Sequence, residues 1–188
     1  MNKACFLALA AALLLAGCAN SGTGPVPPKT AGDVDLQRYQ GTWYELARLP
    51  MFVQRACVQA EAHYSLRADG GLDVRNRCRT AEGEWREVHG QAAPVHPKHT
   101  DKLWVRFDTW ASSLLPGLTK GDYWVLYLDD DYRTALVGTP DRDYLWLLAR
   151  TPEVDPATRE RLLEEARRRD FKVDKLIWRA ADDTIPAR

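Results

Sequence analysis

The sequence has no excess of charge of either sign and few residues of the most reactive kinds. Its 26 Lys and Arg balance 26 Asp and Glu, and there are only four Cys and four His. Nucleic-acid-binding surfaces usually carry a basic excess, and disordered solvating segments usually carry a net charge, so we expect neither a nucleic-acid partner nor an unfolded chain. Apolar residues make up 45% of the 188 residues, with seven Trp and seven Tyr, which suffices for one sizeable core.

Motifs of catalysis and metal binding are also missing. The chain contains no Gly-x-Ser-x-Gly and no Gly-rich phosphate loop. His96 and His99 have a spacing seen in metal sites, but Pro97 lies between them and prevents a shared helix face, so we interpret this segment as a loop. The sequence therefore predicts no catalytic residue, no metal ligand and no cofactor.

The longest apolar run lies near the N-terminus. It extends from Ala4 to Ala16 and would reach only about 20 Å as a helix, short of the ~30 Å hydrocarbon core of a bilayer. With Lys3 before it, the run is typical of a signal peptide over residues 1–17. Leu15-Ala16-Gly17-Cys18 resembles the bacterial lipobox, which implies export and attachment of acyl chains such as palmitate to Cys18.

The residues after Cys18 predict how the protein is attached. Ala19, rather than Asp, at the next position implies the outer membrane, with the protein on its periplasmic face. Residues 18–34 are rich in Gly and Pro and show no core pattern, so we predict a flexible linker that spans roughly 20 Å. A folded domain over residues 35–188 would then lie close to the membrane.

Alternation of apolar and polar residues predicts a β-rich domain. Eight candidate strands are separated by short loops without helical crossovers, which favours an antiparallel sandwich or barrel. These strands are Thr42–Leu49, Val58–Leu66, Leu72–Cys78, Glu84–Ala92, Lys102–Phe107, Asp122–Leu128, Thr134–Gly138 and Tyr144–Arg150. A helix is predicted after the N-cap Asp155, with Pro156 at its first position, and a last strand over 172–179. The apolar stripe of this helix would cover the eighth strand, which is apolar on both faces.

The cysteines that remain after export form one pair. Cys5 would leave with the signal peptide and Cys18 would be acylated, so Cys57 and Cys78 remain in an oxidising compartment, where we predict a disulfide. Both lie at the same end of the hairpin formed by the second and third strands. Pairing Leu66 with Leu72 does not place the two cysteines directly opposite, so the bridge requires Cys57 to lie before its strand or a β-bulge.

Three short motifs resemble those of the lipocalin family. Gly41-Thr42-Trp43-Tyr44 is similar to the first motif, Asp130-Asp131-Tyr132 to the second, and Arg150 to the third. The longer runs from Gly41 to Arg48 and from Pro140 to Trp146 resemble the bacterial outer-membrane lipoprotein lipocalins, which are apolipoprotein D-like. The resemblance implies an all-β fold: an eight-stranded antiparallel up-and-down barrel with the C-terminal helix packed outside and a short final strand.

Strand direction in such a barrel separates a closed end from a mouth. Successive strands alternate in direction, so the three motifs meet at one end, where we expect Arg150 to stack on Trp43, with Gly41, Asp131 and Tyr132 in structural roles. At the mouth we predict a hydrophobic gate of Phe52, Trp110, Leu114 and Leu115. The residues expected to line the ligand cavity are Ala60, Ala62, Tyr64, Val74, Val88, Leu103, Val105, Phe107, Tyr144 and Trp146.

The resemblance also implies a function. It indicates a lipid-binding lipoprotein that stores or transports fatty acids or lysophospholipids for membrane maintenance under stress, with a homodimer as a family precedent. Two alternatives remain open. One is a structural or assembly lipoprotein that uses the barrel as a scaffold, and the other is a thiol-dependent lipocalin enzyme, which would need a free thiol at Cys57.

Overall fold

The computed structural model describes residues 26–108 and 120–186. Within these ranges, the segments with alternating apolar and polar residues form strands. The strands are β1 (Gly41–Arg48), β2 (Cys57–Leu66), β3 (Leu72–Thr80), β4 (Trp85–His96), β5 (His99–Phe107), β6 (Gly121–Leu128), β7 (Thr134–Gly138), β8 (Leu145–Ala149) and β9 (Ile177–Trp178). Strands β1 to β8 pair antiparallel in sequence order, and β8 also pairs with β1, so eight strands close into a barrel. β9 adds to β1 outside this ring, and the predicted fold class is confirmed.

Some strand ends differ from the prediction. β4 and β5 reach His96 and His99, which face each other across a tight turn, so the predicted loop is reduced to Pro97 and Lys98. Pro94 lies within β4 next to a shift in register, which accommodates its missing N–H. The final strand contains only two residues, because a 3-10 turn over Val173–Lys175 occupies the start of the predicted one.

The barrel carries apolar side chains on both faces. Trp43, Leu103 and their neighbours form a buried cluster inside. Outside, Leu136 and Leu147 pack with Leu162 from α2 (Pro156–Arg167), so the helix covers the outer face of β7 and β8. The side chain of Asp155 accepts a hydrogen bond from the Thr158 N–H at 2.9 Å, which confirms the predicted N-cap.

The β2–β3 hairpin carries the disulfide. Leu66 pairs with Leu72 as predicted, and the register shifts between Cys57 and Gln59, so a bulge is present. This bulge brings the Cα atoms of Cys57 and Cys78 to 5.4 Å, and their sulfurs are bonded. The predicted disulfide and the bulge that it requires are both confirmed.

The described part of the predicted linker lies against the barrel. Residues 26–34 run along its outer surface and are hydrogen-bonded to Val125, Arg142 and Arg169. They lead into the short helix α1 (Leu36–Tyr39), which is capped by Asp35 and covers one end of the barrel. Among the described residues, no helix has the length and apolar character needed to cross a bilayer.

Replacing Leu162 by Ala tests the packing of α2. The Leu162 side chain is 1% exposed, so Leu162→Ala should lower the free energy of unfolding by about 2–5 kcal/mol through the cavity that it leaves. Urea unfolding followed by circular dichroism measures the change. Arg161→Ala, at the neighbouring exposed position, is the control and should change the stability by less than ~0.5 kcal/mol. Equal effects of the two substitutions would contradict packing of α2 through Leu162.

Candidate ligand-binding barrel

The predicted cavity residues lie on the inner face of the barrel. Seven belong to the interior cluster or pack against it: Ala62, Tyr64, Val74, Leu103, Val105, Phe107 and Trp146. Ala60 precedes Ala62 by two positions on the same strand face, and Val88 pairs with Asn76, which itself pairs with Ala62. Tyr144 stacks on Trp146 with ring centroids 6.1 Å apart. The structure brings these side chains together, and their contact with a ligand stays a prediction.

Three tyrosine hydroxyls meet inside the barrel. The hydroxyl oxygens of Tyr39 and Tyr64 lie 2.8 and 2.9 Å from that of Tyr123. Burial raises the pKa of Tyr64 to about 12 and also raises the pKa values of Tyr39 and Tyr123, so all three stay protonated at neutral pH. Three hydroxyl protons share two hydrogen bonds, so one proton is left to donate to another acceptor.

The sequence analysis missed two members of this tyrosine cluster. Tyr123 precedes the buried Val125 by two residues, so strand alternation was a usable signal for its inward position. Tyr39 belongs to a helix of four residues, which is too short to show a periodic pattern. Only Tyr64 was assigned to the interior beforehand.

Asn76 adds an unpaired acceptor to the interior. Its Oδ1 is buried and has no hydrogen-bond partner among the described residues. An unpaired buried acceptor costs about 1–3 kcal/mol, which a ligand that donates a hydrogen bond would offset. The inner face therefore combines an apolar lining with a spare hydroxyl proton and an unpaired amide oxygen, and Arg48 Nε is a further buried donor without a partner among the described residues.

Arg150 and Trp43 close one end of the barrel. The guanidinium carbon of Arg150 lies 3.9 Å from the centroid of the Trp43 ring, which is fully buried. The indole N–H of Trp43 donates to the Tyr39 carbonyl at 2.8 Å. The guanidinium also donates to three backbone carbonyls, those of Tyr132, Thr42 and Arg38, at 3.1, 3.0 and 2.9 Å. The motif residues thus join separate segments at this end.

The remaining motif residues shape the backbone around Arg150. Gly41 has a φ of 90°, and a Cβ at this position would lie 3.4 Å from Arg150 Nη1, so glycine suits both the conformation and the contact. Tyr132 accepts a hydrogen bond from the Asp35 N–H at 2.8 Å through its hydroxyl. Asp131 is exposed, whereas Asp129 Oδ1 accepts two backbone N–H bonds and stabilises the turn.

A buried ion pair lies beneath the mouth and was not predicted. Arg48 Nη1 lies 2.7 Å from Glu45 Oε1, and both side chains are buried. Burial raises the pKa of Glu45, and the Arg48 guanidinium acts in the opposite direction. Arg48 also donates to the Gln54 and Cys57 carbonyls, and the Trp146 indole N–H donates to Gln54 Oε1 at 3.1 Å. This network fixes the β1–β2 loop to the barrel wall.

The predicted gate is described only in part. Phe52 lies in a 3-10 turn of the β1–β2 loop and is 75% exposed, with the Arg55 guanidinium 4.3 Å from its ring centroid. Trp110, Leu114 and Leu115 lie outside the described residues, as does Cys18. Across residues 26–108 and 120–186, no group of three or more His, Cys, Asp and Glu is placed to hold a metal ion.

An eight-stranded antiparallel barrel with one end closed by an Arg–Trp stack and an apolar inner face defines a lipocalin. Residues 34–181 match the lipocalin-like domain family, and the chain belongs to it. Outer membrane lipoprotein Blc of Citrobacter freundii is 39% identical over 175 residues, 91% of this chain and 92% of that protein. Temperature-induced lipocalin-1 of Arabidopsis thaliana is 37% identical over 81% of this chain and 82% of that protein, and bovine (Bos taurus) apolipoprotein D is 30% identical over 82% and 80%.

Solved structures share the fold at low identity. Insecticyanin from Manduca sexta superposes with a TM-score of 0.65 and 18% identity, over 86% of this chain and 89% of that chain. Lobster apocrustacyanin A1 has a TM-score of 0.62 and 13% identity, over 86% and 93%. At these identities the similarity establishes the fold alone.

Replacing Trp43 by Ala tests the closed end. The ring is fully buried between Tyr39 and Arg150, so Trp43→Ala should lower the free energy of unfolding by about 3–5 kcal/mol. Arg150→Ala should cost less, because it removes the stacking and the carbonyl contacts but leaves the ring in place. Trp85→Ala is the matched control, since Trp85 is 43% exposed. A Trp43→Ala protein that unfolds at the same urea concentration as Trp85→Ala would contradict the role of Trp43.

Proposed function

We propose that this lipocalin is an outer-membrane lipoprotein, anchored through Cys18 on the periplasmic face, that binds fatty acids or lysophospholipids inside its barrel. The observation that carries the proposal is the apolar inner face with one hydroxyl proton and one amide oxygen that lack partners among the described residues. A long acyl chain suits the apolar lining, and its head group would pair with the two polar atoms.

Two of the residues that carry these polar groups are neighbours along the wall. Tyr64 pairs with Val74, and Asn76 is the next inward-facing residue along β3. The backbones of diagonal neighbours of this kind lie roughly 7–8 Å apart, so one polar head group can contact the side chains of both residues. One bound lipid would therefore meet both the tyrosine cluster and Asn76.

The chemistry of these atoms favours a lysophospholipid over a free fatty acid. A fatty-acid carboxylate only accepts hydrogen bonds, so it takes the spare tyrosine proton but leaves Asn76 Oδ1 unpaired. A lysophospholipid has phosphate oxygens that accept and a free glycerol hydroxyl that donates. It satisfies both groups, and the unpaired acceptor is the one that is costly to leave buried.

Relatives support the cellular setting. Several proteins that align with about nine-tenths of this chain are named outer membrane lipoproteins, in agreement with the lipobox-like Leu15–Cys18. A plant relative is named as temperature-induced, which supports a role in membrane maintenance under stress. Storage or transport of membrane lipid is the activity that joins these features, and a homodimer remains a proposal from family precedent.

Binding is favoured over thiol chemistry. A thiol-dependent lipocalin enzyme would need the Cys57 thiolate, but the Cys57 sulfur is bonded to Cys78. The scaffold alternative makes no use of the unpaired donor and acceptor inside the barrel. Lipid extraction from protein purified from its host distinguishes the lipid-binding function from the scaffold alternative, since a scaffold would yield no stoichiometric lipid.

Two variants with substitutions inside the barrel test the cargo. Phe at all three positions, Tyr39→Phe, Tyr64→Phe and Tyr123→Phe combined, removes every hydroxyl proton of the cluster and should weaken binding of both palmitate and lysophosphatidylethanolamine by about 10-fold or more, the loss expected for a hydrogen bond to a charged group. Asn76→Leu should weaken binding of lysophosphatidylethanolamine alone, by about 2- to 10-fold, because only that lipid donates to Asn76. Titration calorimetry on delipidated protein measures both.

A matched control separates these effects from changes in folding. Tyr127→Phe removes a hydroxyl that packs with the outer cluster and should leave both affinities unchanged. If the combined variant without the three cluster hydroxyls behaved like Tyr127→Phe for both lipids, the head-group assignment would be wrong. If the unsubstituted protein bound neither lipid, the scaffold alternative would be favoured.

Replacing Cys18 by Ser tests the anchor. The serine hydroxyl is not a substrate for acylation, so the Cys18→Ser protein should leave the membrane fraction or remain unprocessed. Cys5→Ser is the control, because Cys5 lies in the predicted signal peptide and should have no effect on attachment. Membrane fractionation followed by mass spectrometry of the mature N-terminus reads out both variants. Unchanged membrane attachment of Cys18→Ser would rule out the lipobox.

A further inference from the structure

Residues 26–34, termed the strap below, are fixed to the barrel over their whole length. Side chains near the C-terminal end of α2 and in the β7–β8 loop hold its first half. Arg142 donates to the Val26 carbonyl and Arg169 to the Lys29 carbonyl, each at 2.8 Å. The later part is held by main-chain donors: Ala31 N–H to the Val125 carbonyl at 2.9 Å and Val34 N–H to Thr100 Oγ1 at 2.8 Å.

A bulge in β6 supplies part of this attachment. The register between β6 and β7 shifts between Val125 and Tyr127, which interrupts the β6–β7 ladder at this point. The strap donates to the Val125 carbonyl, and Arg169 donates to the Leu126 carbonyl at 2.8 Å. The strap therefore satisfies one carbonyl of the wall, and Arg169, which also holds the strap, satisfies the next one.

The strap runs from the mouth to the closed end. Arg142 lies in the loop between β7 and β8, which is at the mouth end because β8 leads to Arg150 at the closed end. Thr100 lies at the start of β5, next to the closed-end turn that precedes it. The described chain therefore begins beside the mouth, at Val26.

This direction makes the tether to the membrane short. Val26 is the eighth residue after Cys18, a distance of at most about 28 Å when fully extended and roughly 16 Å on average when flexible. An eight-residue strand tilted in a barrel rises about 20 Å along the axis, and the end loops add to this. With the closed end on the membrane, the tether would have to extend along the whole barrel, and the ordering of the chain would oppose that arrangement.

The rim beside the strap is apolar and exposed. Val26, Phe52 and Val53 are 80%, 75% and 79% exposed. The loops that carry them are neighbours, since the Leu49 N–H donates to the Leu145 carbonyl at 2.9 Å, next to the β7–β8 loop that holds Val26. Apolar side chains with an arginine stacked on one of them suit the boundary between lipid head groups and acyl chains.

We propose that the mouth rim docks on the phospholipid surface that holds Cys18, with Phe52 and Val53 in the head-group region and the strap keeping the mouth towards the membrane. The proposal rests on the proposed acylation of Cys18. It gives a lipid cargo a path between bilayer and barrel that does not cross open water.

Depth-dependent quenching of two labelled positions tests this orientation. A fluorophore is attached through an azido-phenylalanine at Val53 or, as the matched control at the closed end, at Val95, which is 61% exposed. The acylated full-length protein is reconstituted in vesicles of phosphatidylethanolamine and phosphatidylglycerol that contain nitroxide-labelled lipid. Quenching should be about threefold stronger at residue 53 than at residue 95, because only the rim reaches the boundary region. Equal quenching, or stronger quenching at residue 95, would overturn the proposal.

A longer tether tests the role of the strap. Insertion of twelve Gly and Ser residues after Gly24 lengthens the chain between Cys18 and the strap without changing a described contact. The difference in quenching between residues 53 and 95 should fall by about half or more, because the closed end then also reaches the bilayer. An unchanged difference would show that the short tether does not set the orientation. Vesicle flotation measures anchoring and calorimetry measures cargo binding. A failure of the proposed function is therefore distinguished from a failure of the docking proposal.

Discussion

The stacking of Arg150 on Trp43 decides which end of the barrel is closed, and the rest of the structure follows from that choice. The guanidinium contacts an aromatic face and three backbone carbonyls at once, so it links α1, β1 and the β6–β7 turn. Trp43 in turn packs against Tyr39, with ring centroids 4.8 Å apart, and Tyr39 carries its hydroxyl into the interior. The residues that close the barrel therefore also position the polar groups available to a ligand.

The region beneath the mouth is organised by a buried ion pair instead of a cation–π stack. Glu45 and Arg48 lie on the same inner face although they are three residues apart, because the β1–β8 register shifts between Glu45 and Ala47. A buried ion pair is not a strong source of stability by itself, since desolvation offsets much of the attraction. Its bonds to Gln54 and to the Cys57 carbonyl make it specific, because they set where the β1–β2 loop lies relative to the wall. Phe52 and Val53 are exposed partly because the loop is held in this way.

Features with a regular period were predictable from the sequence, and features that depend on an interrupted period were not. Alternation located eight strands, and the apolar stripe and N-cap located α2. The same alternation places Arg48 on the outer face, and only the bulge moves it inside, so the ion pair was missed. Composition suggested that residues 26–34 are a free linker, because the groups that hold them, such as Arg142 and Arg169, lie more than a hundred residues later in the chain. The tyrosine cluster was missed for a similar reason, since Tyr39 and Tyr123 meet only in the folded barrel.

The strap continues directly into α1, which covers the closed end of the barrel. Detaching the strap therefore also disturbs the packing at the closed end. Val34 ends the strap, Leu36 and Tyr39 follow it within five residues, and all three belong to the interior cluster. Pulling the strap fully away from the wall would draw these side chains out of the core and expose their apolar surface, which opposes detachment. An attachment built in this way holds its direction for as long as the domain remains folded. The strap, which its composition predicts to be a spacer, thus ties the position of the proposed Cys18 anchor to the packing of α1 at the closed end.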